Sequence, residues 1–239
     1  MSQLPKAVFL DLDDTILNDS GGTEECWRRA CASCAAELGE TEPETLYGTI
    51  LTTRRWFWSD RERHRRGRLD LDAAARETVA LSLSELGVVD AALSATIARR
   101  YRRQRDEGVE PFPDAIETVR WLRTSGCRLA LLTNGSALAQ RGKIARFALT
   151  DLFDAILIEG ELGFGKPDPR IYTQALEALL VPAANVWMVG DNLEWDVAQP
   201  QRMGVAGIWI DVRGAGIPAG HSVRPHRILR RLAELRDGG

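Results

Sequence analysis

No stretch of about 18 apolar residues occurs in this sequence, which argues against a membrane-spanning helix. Charge of one sign is not in excess either. The chain has 31 Lys and Arg against 34 Asp and Glu, so no global field draws it to nucleic acid or to a membrane surface. Internal repeats and low-complexity tracts are absent. Met1-Ser2-Gln3-Leu4-Pro5-Lys6 passes directly into an apolar strand and leaves no room for a secretory signal, so a cytoplasmic location is expected. Cysteine is scarce, at four. Cys31 and Cys34 have the C-x-x-C spacing of redox and zinc sites, but they lie in an alanine-rich helical stretch without a second ligand pair or a nearby histidine. All four cysteines are read as free thiols in a reducing compartment, these two as small buried side chains.

What remains is an ordinary globular composition, 44% hydrophobic and 27% charged, in a length suited to one domain or to a core carrying an insertion. Ala7-Val8-Phe9-Leu10 reads as a short buried strand running into the acidic cluster Asp11-Leu12-Asp13-Asp14-Thr15. From about 22 to 108 the pattern is helical, broken near Gly39, Gly67 and Gly87. After Pro111-Phe112-Pro113 strands and helices alternate. Helices are expected at about 114–124, 136–147 and 169–180, and strands at 128–132, 155–158, 186–189 and 206–210. A further helix precedes the last strand, and a terminal helix is expected over about 225–236. Such alternation indicates α/β architecture with a doubly wound, mostly parallel sheet, and the helical block reads as an inserted cap. Hinges are expected near 18–22 and 108–113, where Gly, Pro and polar residues cluster.

Three of these strands end in polar residues: Asp11, then Thr133-Asn134, then Asp191. In open α/β sheets the ligand crevice lies at the carboxyl ends of the strands, so these segments should converge, and Lys166 can join them from a loop. Crowded carboxylates raise one another's pKa unless a cation intervenes. With no His or Cys in the set, all-oxygen coordination favours Mg²⁺. A phosphate monoester would supply further oxygens, with Lys166, the Thr133 hydroxyl and the Asn134 amide as donors to it. The carboxylate at the strand end can attack phosphorus, and a second one two residues on can protonate the leaving alcohol and then activate water.

Asp11-Leu12-Asp13-Asp14-Thr15, Thr133-Asn134-Gly135, Lys166-Pro167-Asp168-Pro169 and Gly190-Asp191-Asn192-Leu193-Glu194-Trp195-Asp196 resemble, in order, the four motifs of the haloacid dehalogenase superfamily. The match in order and spacing extends from the first strand to about Ile210. The resemblance implies a Rossmann-like core, 1–18 with 111–239, and a helical cap, 19–110. It implies that Asp11 is the nucleophile and a metal ligand. Asp13 is then the general acid/base and lends its backbone carbonyl to the metal. Thr133 and Asn134 hold the phosphoryl group, and Lys166 balances charge. Asp191 is the acidic metal ligand of the fourth motif, and Asp196 steadies Lys166 or a metal-bound water. The dehalogenases of the family lack an acid at the position of Asp13, because displacing halide needs no leaving-group proton. Its presence points to phosphoryl chemistry, so the resemblance implies a Mg²⁺-dependent phosphatase for small phosphorylated metabolites, with monomer and homodimer both left open. A sugar phosphomutase of the same fold is the alternative, and a phospho-receiver switch a remoter one.

Other conspicuous residues receive plainer readings. Asp14 and Thr15 suit the turn after the strand, and Gly135 a tight turn. Asp168 before Pro169 is a helix N-cap. Asn192 lies beside the metal in sequence, a contact being left open. The seven arginines between Arg54 and Arg68, and the five between Arg99 and Arg105, are read as solvated helix faces. Trp56-Phe57-Trp58 is read as cap core, with contact to substrate as the sharper alternative for both groups. His64, His221 and His226 match no motif and are read as structural or surface residues.

Overall fold

The computed structural model of this protein describes residues 4–236. The chain divides into two compact units: one formed by the chain up to Asp19 together with Glu110 onward, the other spanning Ser20–Val109.

The first unit is a Rossmann-like α/β fold. Its strands are β1 (Ala7–Leu10), β2 (Leu17–Asn18), β3 (Glu110–Pro111), β4 (Arg128–Thr133), β5 (Ala155–Ile158), β6 (Val186–Gly190), β7 (Ala206–Ile210) and β8 (Arg227–Leu229). Six of them form one sheet in the order β5-β4-β1-β6-β7-β8, with every pair parallel. β2 and β3 form a separate antiparallel ladder. The four residues of β1 are all apolar and fully buried, as expected of a central strand covered on both faces. In register, Leu10 lies opposite Leu131 of β4 on one side and Val189 of β6 on the other. The chain thus leaves β1 to both sides, which puts the ligand crevice at its carboxyl end.

Two glycines allow the last motif to lie against the sheet. A Cβ at Gly190 of β6 would come within 2.3 Å of Asp196 Cγ, and one at Gly207 of β7 within 2.7 Å of Val197 Cα. Without them the π-helical segment Leu193–Ala198 could not pack this closely.

The second unit is all-helical: α1 (Thr23–Ala32), α2 (Pro43–Ser59), α3 (Arg61–Leu69), α4 (Leu71–Glu85) and α5 (Ala91–Gly108). Trp27 stacks on Tyr101 at 3.5 Å between ring centroids, and Leu46, Ile50, Val79, Leu83 and Ile97 complete the core around them. Cys31 and Cys34 are free thiols in this core, and burial pushes Cys31 up to about 12. Among the described residues no helix is long and apolar enough to cross a membrane.

Several expectations need correction. The terminal helix does not form. Instead β8 pairs with β7, His226 N–H donating to Gly207 O at 2.8 Å, and a 3₁₀ turn follows over Leu232–Leu235. A helix of about a dozen residues is marginal by itself, and the open edge of β7 offers three residues a complete ladder. The break expected near Gly67 falls two residues on, where α3 ends at Leu69; Gly67 itself is buried inside the helix, where a Cβ would meet Phe57 Cε1 at 2.6 Å. The breaks fall at Asp60 and Asp70, whose carboxylates cap the following helices by accepting from Arg63 N and Ala73 N. Of the three aromatics, Phe57 is buried but Trp56 is half exposed, with the Arg63 guanidinium stacked 3.8 Å from its ring centroid. Arg105 also departs from the solvated-face reading, being buried and donating to Gly21 O at 3.4 Å.

The other helices of the sheet unit are α6 (Ala115–Thr124), α7 (Ala137–Arg146), α8 (Glu159–Leu162), α9 (Pro169–Leu179) and α10 (Gln199–Arg202).

Candidate active site

Asp11 is the first residue past β1, and its N–H donates to Val189 O at 3.0 Å, which ties the end of β1 to β6. The side chain is held by Lys166, whose Nζ lies 2.7 Å from Asp11 Oδ1 and 2.7 Å from Asp196 Oδ1. All three groups are buried. The Thr15 hydroxyl reaches Asp11 Oδ2 at 3.5 Å. Burial alone would pull Lys166 down, but Asp11 and Asp196 outweigh it and hold the ammonium above its ordinary range.

Asp11, Asp191 and Asp196 each offer a carboxylate oxygen within 4.8 Å of the others. Burial pushes Asp11 up to about 7 despite Lys166, with Asp196 and Asp13 adding to the rise. Burial likewise pushes Asp191 up to about 9, reinforced by Asp11, Asp196 and Asp14. Anions crowded in this way favour protonation or a divalent cation, and an all-oxygen donor set suits a hard one. The residues therefore fit such an ion.

Lys166 is placed by the loop that carries it. Its backbone N–H donates to Asn134 Oδ1 at 2.8 Å, and Asn134 Nδ2 donates to Lys166 O at 2.7 Å. Both ends of the Asn134 amide are thus engaged by the lysine backbone. The approach requires Gly165, where a Cβ would lie 2.4 Å from Asn134 Oδ1. Gly135, with φ at 121°, turns the chain after Asn134 and donates its N–H to the buried Glu159 at 3.1 Å. Asp196 is oriented on its other oxygen by Asn192 N at 3.0 Å. The Asn192 side chain caps the next segment, accepting from Glu194 N and Trp195 N. Asp168 caps α9 through Arg170 N, with Pro169 at the first position.

The Asp13 carboxylate is not one of the group formed by Asp11, Asp191 and Asp196. Its Oδ1 accepts from Lys143 Nζ at 2.7 Å and its Oδ2 from Gln140 Nε2 at 2.8 Å. Lys143 also bonds Asp19 Oδ1 at 2.6 Å. Gln140 reaches Asn134 O at 3.0 Å and the Thr133 hydroxyl as well. Burial and then Asp19 push Asp13 up, against the pull of Lys143. Reading along the chain missed Gln140 and Lys143. The available signal was their spacing: Gln140 and Lys143 are three residues apart after a strand that ends in polar residues and a Ser136 that caps the helix, and so share one face of α7.

The chain can now be set beside known proteins. Residues 5–204 match the family of haloacid dehalogenase-like hydrolases. A phosphoserine phosphatase of Thermus thermophilus is 30% identical over 86% of this chain and 88% of its own. A glyceraldehyde 3-phosphate phosphatase of Methanopyrus kandleri is 29% identical over 86% of this chain and 83% of its own. Among solved structures, a protein of Bacillus subtilis described as the HAD-hydrolase YfnB bound to magnesium superposes with a TM-score of 0.73 at 21% identity, covering 98% of each chain. A family match over most of the sequence, with a parallel sheet whose central strand carries the acidic cluster, makes this chain a member of the haloacid dehalogenase-like hydrolases.

Proposed function

We propose that this hydrolase removes phosphate from small phosphate monoesters, with Asp11 as nucleophile and Mg²⁺ as the cation of the acidic cluster. The observation that carries the reading is the pair of carboxylates after β1. Asp11 is bonded to a buried ammonium beside Asp191, while Asp13, two residues on, has its own donors on α7. A dehalogenase needs the first carboxylate only. A phosphatase needs both.

Lys166 holds Asp11 as it attacks phosphorus, and the bond from phosphorus to the alcohol oxygen breaks as Asp13 gives that oxygen a proton. The ionised Asp13 then takes a proton from the water that attacks the aspartyl phosphate, which releases inorganic phosphate and restores both groups. The Thr133 hydroxyl accepts from Gln140 and donates to Asn134 O at a long 3.4 Å, a bond it can exchange for one to a phosphoryl oxygen. Asn134 serves the same group by fixing Lys166. The Asp11 and Asp191 carboxylates and the Asp13 carbonyl would hold Mg²⁺, which would supply the charge neutralisation that lets one anion approach another.

The similarity to phosphatases of phosphoserine and glyceraldehyde 3-phosphate supports small phosphorylated metabolites as the substrate class. The helical unit is proposed as the substrate-selecting cap. The support is its point of insertion, since the chain leaves from β2, just after the acidic cluster, and returns through β3, paired to it.

The test is phosphate release from a panel holding phosphoserine, glyceraldehyde 3-phosphate, nucleoside monophosphates and 4-nitrophenyl phosphate, with and without Mg²⁺. Wild type is expected to need Mg²⁺, and Asp11→Asn to lose at least about 10³-fold in kcat. Equal release by both proteins, or isomerisation of a sugar phosphate without release, rejects the reading.

A further inference from the structure

The donors around Asp13 are more elaborate than a surface ion pair requires. Lys143 is only 13% exposed along its side chain and shares one ammonium between two carboxylates, Asp13 and Asp19. Gln140 is 2% exposed and points its amide nitrogen at three acceptors: Asp13, the Asn134 carbonyl and the Thr133 hydroxyl. Burying an ammonium and an amide costs free energy that better-packed apolar side chains would not. What the arrangement provides is orientation. Each oxygen of Asp13 receives one donor, and both donors come from one face of α7, three residues apart. An ionised carboxylate has about four lone-pair sites, so two stay open for the proton that the reaction moves.

Given that Asp13 carries that proton in the reaction proposed above, we infer that Gln140 and Lys143 are positioning residues for it. They fix the plane of the Asp13 carboxylate. Asp19 anchors the lysine from its other side, and Gln140 ties the same carboxylate to Thr133 at the end of β4. One helix therefore sets the distance between the proton carrier and the hydroxyl proposed for the phosphoryl group.

The steps that depend on Asp13 are alcohol departure and water attack, and leaving-group chemistry separates them. The phenolate from 4-nitrophenyl phosphate departs without a proton, whereas an alkoxide does not. The probes are 4-nitrophenyl phosphate and whichever alkyl ester of the panel wild type hydrolyses fastest. Lys143→Met and Gln140→Met are each expected to lower kcat/KM on the alkyl ester by about 10–100-fold. On 4-nitrophenyl phosphate kcat/KM should stay within about threefold of wild type, because this ratio stops at the first irreversible step. A burst of nitrophenolate equal to the enzyme should precede slow turnover, as phosphoenzyme accumulates. Lys143→Arg, which keeps the donors, should restore most of the alkyl-ester rate.

Equal losses on both esters, or no loss on either, overturn the positioning role. Should Lys143→Met fail to fold, the Gln140→Met comparison decides by the same ratio. The two levels of failure are distinct. An inactive Asp11→Asn beside an unchanged alkyl-to-aryl ratio removes only the positioning role, whereas an active Asp11→Asn removes the reaction itself.

Discussion

In the sheet unit, charge is drawn inside. Asp11, Glu159, Lys166 and Asp196 are each less than a tenth exposed, and they gather around the carboxyl ends of parallel strands. In the helical unit most charge is on the outside, in pairs such as Glu25 with Arg29, Glu77 with Arg66 and Glu107 with Arg103. Its buried hydroxyls, on Thr53, Thr78, Ser82 and Ser94, bond carbonyls of the preceding turn. Arg105 is the exception. The difference is energetic. Removing an ion from water costs several kcal/mol even after relaxation, whereas an exposed helical pair is worth a few tenths. Buried charge concentrated in one unit, at one end of its strands, therefore marks where the chain gives up stability for chemistry.

Substitutions can break or sharpen this contrast. Lys166→Met leaves Asp11 and Asp196 buried without their cation, and urea denaturation of the metal-free protein should show a loss of about 3–5 kcal/mol. A variant as stable as wild type would mean that the triad carries no buried charge. Mg²⁺ comes next. At a hundred times its dissociation constant it should stabilise by about 2.7 kcal/mol, visible as a raised Tm. Asp191→Asn should abolish that shift. It should also raise the Tm of the metal-free protein at neutral pH, because it removes a carboxylate whose ionisation burial opposes. An undiminished Mg²⁺ shift in this variant would place the cation elsewhere.

Glycines give a smaller pair of opposite signs. Gly190→Ala drives a methyl against Asp196 and should cost about 1–3 kcal/mol in thermal melts. Gly48→Ala, exposed inside α2 with nothing within 4 Å of the new methyl, should gain about 0.5–1 kcal/mol. The smallest effect is expected at Arg66→Ala. Its pair with Glu77 measures 2.8 Å, but Arg66 is more than half exposed, so the change should stay below about 1 kcal/mol. A larger loss there would erase the contrast between the units.

Much of the sheet unit was legible along the chain. The short apolar runs at β1, β4, β5, β6 and β7 fall where periodicity puts them, because a strand covered on both faces must be continuously apolar. The polar residue after each relevant run announced the site. The helix over 225–236 was misread for the complementary reason. Its apolar spacing suited a helix, yet the edge of β7 recruited three of its residues. The break near Gly67 was legible but the role of the glycine was not, since one kept for close approach to Phe57 and Trp58 cannot be told from one kept for a turn without knowing what lies opposite.

The amino-acid sequence by itself determined which chemical groups stand at the ends of which strands, since hydrophobic period, capping and turn preference are local properties. Only the tertiary structure decided which of those groups meet. Asp13 and Lys143 are 130 positions apart, Asp11 and Lys166 are 155. Strand order and register bring them within hydrogen-bond reach, and no local rule carries that information, because it resides in the packing of whole elements against one another.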